Sequence, residues 1–94
     1  MSDGYESCVE KKCILDEAKD IVNGARREEY GDPKLCFSRI ARLWSGYLDI
    51  PITSLDVAHM MMMLKISRGY NGYQRDCIMD IAGYAYCAEI ISAE

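Results

Sequence analysis

Three short turn-forming clusters decide what this chain can fold into. Tyr30-Gly31-Asp32-Pro33, Asp49-Ile50-Pro51 and Gly69-Tyr70-Asn71-Gly72 cut it into four segments. In each segment the apolar residues recur at helical rather than alternating spacing. Short connections between such helices favour antiparallel neighbours, so the expected fold class is all-α, an antiparallel bundle of about four helices.

The first helix is expected from Ser7 or Cys13 to Glu29, with Ile14, Ala18, Ile21, Val22 and Ala25 on one stripe. Gly24 inside it costs about 1 kcal/mol relative to Ala, which a close helix crossing or a ligand's approach would explain. The second helix opens with Asp32 as its cap and Pro33 at a position that needs no N–H. Its apolar face is Phe37, Ile40, Ala41, Trp44, Tyr47 and Leu48. The third starts at Thr53 or Ser54, where Thr53-Ser54-Leu55-Asp56 approximates a capping box. Leu55, Val57, Ala58, Met60 to Leu64 and Ile66 make it apolar nearly all round, the pattern of a helix buried on most sides. A second subunit would cover it, so a homo-oligomer (dimer or higher) is expected. The fourth spans Gln74 to Ser92 with a core side of Ile78, Ile81, Ala82, Ala85 and Ala88, and Gly83 implies close contact with a neighbouring backbone.

At 94 residues there is room for one domain: an N-terminal segment over 1–12, open to partial helix formation, and a single helical bundle over 13–94. Eleven Lys/Arg against fifteen Asp/Glu leave a net charge of -4, which argues against a DNA- or RNA-coating protein but leaves room for a local basic pocket. The start, Met1-Ser2-Asp3-Gly4-Tyr5-Glu6, is polar and acidic rather than a signal peptide. The longest apolar run, Val57 to Leu64, is interrupted by His59 and falls short of the roughly 20 residues of a span. The expectation is a soluble protein of the cytoplasm without a membrane partner. Cys8, Cys13, Cys36, Cys77 and Cys87 are odd in number, lack a C-x-x-C spacing and share the chain with one histidine. Reduced, mostly buried thiols fit better than a zinc site.

The sharpest chemistry lies in the last two helices. Asp76 and Asp80 are four apart and share a face; Lys65 and Arg68 share one on the preceding helix. An antiparallel return sets Arg68 near Asp76 and Lys65 near Asp80. Two readings stand. One is a ladder of ordinary ion pairs, each worth ~0–1 kcal/mol when exposed. The other is a polar site in which Asp76 and Asp80 hold a divalent metal, magnesium, and the cations hold phosphate.

Arg26 and Arg27 suit the end of a helix, and Gly31 suits its stop. Tyr30 has no such explanation and is placed to stack on a base. Glu17 with Asp20, or Glu28 with Glu29, is either a further acidic pair or a solvated face. His59, on an apolar helix, reads as a core residue. No phosphate-cradling glycine loop and no nucleophile-with-base arrangement is present.

Taken in order, Arg26/Arg27, Tyr30-Gly31-Asp32-Pro33, Phe37, Ile40-Ala41, Leu43-Trp44, Thr53, Asp56-Val57-Ala58, Met63-Leu64-Lys65-Ile66, Arg68, Asp76 and Asp80-Ile81-Ala82-Gly83-Tyr84 resemble a family of small phage and prophage proteins of uncharacterised function. The resemblance covers Ile14 to Ile91. More distantly, the pattern resembles the MazG-like all-α nucleoside triphosphate pyrophosphohydrolases. That likeness implies a helical oligomer, magnesium and a triphosphate cleaved between its α- and β-phosphates. Those enzymes carry Glu-x-x-Glu and Glu-x-x-Asp pairs; here Asp76-x-x-x-Asp80 is wider and Glu17-x-x-Asp20 matches only loosely.

Three functions are compatible with these residues. The first is a phage protein that binds a nucleotide or nucleotide-derived signal and sequesters it without turnover, in the manner of small phage proteins that trap a host's nucleotide immune messengers. Arg26, Arg27, Lys65 and Arg68 would hold phosphate, and Tyr30 or Tyr84 would stack on the base. The second is a magnesium-dependent pyrophosphohydrolase with Asp76 and Asp80 as metal ligands. The third is a module that binds a host protein through its Met-rich helix.

Overall fold

The computed structural model describes residues 12–93. Expectations for residues 1–11, among them a helix start at Ser7 and the state of Cys8, lie outside the described residues. Among the described residues five helical segments follow one another: α1 (Ile14–Asn23), α2 (Ala25–Tyr30), α3 (Pro33–Leu48), α4 (Ser54–Arg68) and α5 (Arg75–Ser92). Among the described residues there is no strand.

The expected first helix is two helices. Gly24 takes φ -106° and ψ -101°, outside the helical region, and separates α1 from α2. Hydrogen bonding carries on across the break: Gly24 N–H donates to Asp20 O at 2.8 Å and Glu28 N–H to Gly24 O at 3.0 Å. A Cβ at this position would sit 2.9 Å from the Asp20 carbonyl oxygen, so the break takes a glycine.

The turns follow the sequence closely. Asp32 caps α3, its Oδ1 accepting Lys34 N–H at 3.0 Å, with Pro33 as the first helical residue. The helix ends at Asp49, which adopts the left-handed region at φ 58°. Ser45 closes the following loop. Its Oγ accepts Ile52 N–H at 2.8 Å and donates to Ile52 O at 3.3 Å. Thr53 and Asp56 form a complete capping box on α4. Asp56 N–H donates to Thr53 Oγ1 at 3.0 Å and Thr53 N–H donates to Asp56 Oδ2 at 2.9 Å.

α5 is the hub and lies along α4, α1 and, over a shorter stretch, α3. Polar ties brace it at both ends. Arg75 Nη2 donates to Glu17 Oε2 at 2.8 Å, Asn23 Nδ2 to Tyr86 Oη at 3.1 Å, and Lys34 Nζ to the Ala93 carbonyl at 2.9 Å. The core is thin: Ala18, Val22, Phe37, Ala41, Val57, Ala58 and Cys87 are buried. Half-buried Ile40, Trp44, Met61, Met62 and Tyr84 pack around most of them.

Several burial expectations are corrected. On α4 only Val57 and Ala58 are buried, while Leu55, Met63, Leu64 and Ile66 are exposed. The helix packs on α3 and α5, and among the described residues no other element covers its remaining sides to a comparable extent. His59 is exposed rather than in the core, as are Tyr47, Leu48, Ile78 and Ala85. Among the described cysteines Cys87 is buried, and Cys13, Cys36 and Cys77 are partly exposed. Gly83 meets a side chain rather than a backbone: a Cβ there would lie 3.5 Å from Val22 Cγ2, ordinary contact. Among the described residues no helix is long and apolar enough to cross a membrane.

Candidate functional site

α1, α2, α3, α4 and α5 surround a cavity of about 280 Å³. Buried Val22, Phe37, Val57 and Cys87 line its inner part, and exposed Arg26, Arg27 and Tyr30 line its open side. Lys65, Asp80 and Tyr84 complete the wall from α4 and α5.

Helix geometry explains the convergence. Val57, Met61 and Lys65 recur every four residues and form one ridge of α4. Asp80, Gly83, Tyr84 and Cys87 sit at i, i+3, i+4 and i+7, one face of α5. The break at Gly24 starts a new helix, and α2 carries Arg26, Arg27 and Tyr30 to the opening.

Inside the wall, Lys65 Nζ stands 3.0 Å from Asp80 Oδ2, with side chains 16% and 34% exposed. Tyr84 sits beside this pair and its ring lies 6.3 Å from that of Phe37, tilted by 59°. Burial pushes the Tyr84 hydroxyl above its ordinary range. Lys65 and Arg26 pull it down, and Asp80 pushes it up. Burial likewise raises the Cys87 thiol, and neighbouring Cys36 adds to the effect. Among the described residues, neither Arg26 nor Arg27 makes an ion pair.

Of the eight residues expected at a site, six line this cavity: Arg26, Arg27, Tyr30, Lys65, Asp80 and Tyr84. Arg68 and Asp76 do not. The expected pair Lys65–Asp80 is present, whereas among the described residues no ion pair joins Arg68 to Asp76. Asp76 is one helical turn from Asp80, a rise of roughly 6 Å, on the side of the α4–α5 turn.

The other acidic pair is also dispersed. Glu17 is engaged by Arg75, and Asp20 by Lys12, an exposed pair that raises the Lys12 ammonium. Among the described residues, no group of three or more His, Cys, Asp or Glu is arranged to hold a metal ion.

Cys36, Phe37, Met61, Gly83 and Cys87 also line the cavity and were not singled out as site residues from the sequence. The i, i+3, i+4, i+7 spacing of Asp80, Gly83, Tyr84 and Cys87 is the signal that would have connected the last two to the chosen pair.

A family model described as a domain of unknown function, DUF6378, matches residues 13–92. The Gene 55 protein of Mycobacterium phage D29 is 46% identical over 82 residues, 86% of this chain and 54% of that protein. The Gene 55 protein of Mycobacterium phage L5 is 50% identical over 74 residues, 77% of this chain and 47% of that protein. The chain thus spans about half the length of these curated relatives. No solved structure matches it significantly.

Proposed function

The chain belongs to the DUF6378 family, with relatives among phage proteins, and from that premise we propose that it binds a phosphate-bearing nucleotide or nucleotide-derived signal and sequesters it without turnover. One observation carries this reading: two arginines that make no ion pair among the described residues, two tyrosines and a Lys–Asp pair line a single cavity of about 280 Å³. Ligand sites of small molecules combine apolar walls with a few convergent polar groups. Guanidiniums match phosphate geometry through paired N–H donors. The tyrosine rings and Phe37 offer stacking surfaces for a base.

The distribution of carboxylates favours binding over hydrolysis. A MazG-like reaction draws on several acids around its metals. Among the described residues Asp80 alone of the Asp and Glu side chains lines this cavity, and it is already engaged by Lys65. Self-association belongs to the same reading and is supported by exposed Leu55, Met63 and Ile66 on α4. Sedimentation velocity reads it directly.

The test is mass spectrometry of small molecules released on denaturing protein that has been incubated with a mixed nucleotide pool. The expected result is an intact phosphorylated ligand, retained in EDTA and lost in the Arg26→Glu/Arg27→Glu double variant. Recovery of cleaved product, with turnover abolished by EDTA, would replace sequestration with hydrolysis. Recovery of no ligand would end the nucleotide reading.

A further inference from the structure

The cavity's two arginines and, among the described residues, its single carboxylate occupy different places, and that separation says something about the ligand. Arg26 and Arg27 lie on the exposed helix α2 at the opening, while Asp80 lies on α5 beside half-buried Tyr84. Lys65 Nζ is 3.0 Å from Asp80 Oδ2, so the inner charges offset each other and the outer ones do not. A phosphate is drawn to the opening. The body of the ligand then extends inward, over the tyrosines, toward Asp80.

An ionised carboxylate is acceptor-only, with two oxygens and about four lone-pair directions. Lys65 occupies one direction on Oδ2, and about a third of the side chain stays accessible. What such a group selects is a ligand with neighbouring hydrogen-bond donors. An acceptor edge placed against it is repelled. Cavity size limits the body as well. About 280 Å³ lies at the small end of ligand sites, room for one nucleoside rather than two.

Resting on the nucleotide reading above, we propose that Asp80 is the specificity residue of this site and reads a pair of adjacent donors on a single nucleoside monophosphate. Two parts of a nucleotide present such a pair: the N1–H and N2–H₂ edge of guanine, and the ribose 2′,3′-diol.

The experiment is isothermal titration calorimetry of GMP, dGMP, AMP and dAMP against the wild-type protein and Asp80→Asn. If the base edge is read, GMP and dGMP bind at least tenfold tighter than AMP and dAMP. If the diol is read, GMP and AMP bind at least tenfold tighter than the two deoxynucleotides. In either case Asp80→Asn reduces the ratio by about tenfold, because the amide presents one acceptor oxygen and a donor in place of two acceptors. The ratio is the readout because any effect of the freed Lys65 charge on the phosphate common to all four cancels in it. Far-ultraviolet circular dichroism establishes that the variant is folded, and the wild-type ratios decide the matter if it is not. Equal binding of all four nucleotides, or a preference unchanged in Asp80→Asn, overturns the role of Asp80 and leaves nucleotide binding standing. Absence of saturable binding by any of the four overturns both.

Discussion

Lys65 Nζ and Asp80 Oδ2 stand 3.0 Å apart and tie α4 to α5 within the cavity wall. The pair lies between the fully exposed and the fully buried cases, where removing one partner costs about 0–1 and 3–5 kcal/mol respectively. Lys65→Met is expected to destabilise the protein by about 1–2 kcal/mol, measured by urea unfolding. Lys65→Met combined with Asp80→Leu should recover most of that loss, because no charge is then left without its partner. A double variant less stable than the single would refute this account of the pair.

Gly24 at the α1–α2 break and Gly83 inside α5 should respond to alanine in opposite directions. At Gly24 the added Cβ would lie 2.9 Å from the Asp20 carbonyl oxygen, a backbone atom, so the chain must shift to admit it. Gly24→Ala is expected to cost on the order of 1–3 kcal/mol. At Gly83 the Cβ would make ordinary 3.5 Å contact with Val22 Cγ2, and alanine is the better helix former. Gly83→Ala is expected to stabilise by about 0.5–1 kcal/mol and, since Gly83 lines the cavity, to weaken ligand binding. Thermal melts and titration calorimetry on the same two variants check both halves.

The capping box on α4 predicts an acid-sensitive contribution. The backbone N–H and side chain of Thr53 hold the Asp56 carboxyl below its ordinary value of 3.8. Its contribution is therefore complete above about that pH and is lost as pH falls through the lower folded value. Asp56→Asn should flatten the fall in Tm across that acid window relative to wild type. Thr53→Ala should cost about 1 kcal/mol at neutral pH.

Tyr84 predicts the opposite limb. Burial raises its hydroxyl above the ordinary 10.0, so the folded state holds its proton more tightly than the unfolded chain. This contribution is complete below pH 10 and declines as pH rises through the folded value. Tyr84→Phe should therefore lose less Tm than wild type between neutral pH and the alkaline range. Absorbance titration of the phenols should also lose its latest-ionising component. The Cys87 thiol, raised by burial as well, remains as a residual slope in both proteins.

Local chemistry was legible where a residue acts on its own backbone. Asp32-Pro33 and Thr53 to Asp56 do what their types dictate, and α3 and α4 begin where those signals fall. The same holds for Lys65 and Asp80, whose pairing needs only an antiparallel return and helical spacing. Gly24 is visible as an anomaly in the sequence, but its residue type alone does not say that the helix breaks there, at φ -106° and ψ -101°. Arg68 and Asp76 do not pair although the return is symmetric about Tyr70–Tyr73, with α4 ending at Arg68 and α5 beginning at Arg75: both side chains are exposed, where an ion pair gains little over hydration. Burial of α4 was misjudged for a related reason. Periodicity reports which residues are apolar, not how many sides a helix has neighbours on.

Val57 and Ala58 have no exposed surface, and among the described residues only six others are buried with them. Unfolding a lone chain of this kind brings little new surface into water. Its denaturant slope and heat-capacity increment should be small for its length, and its transition broad. A steep transition that moves to higher denaturant with protein concentration would mean that the missing interior is supplied by neighbouring copies.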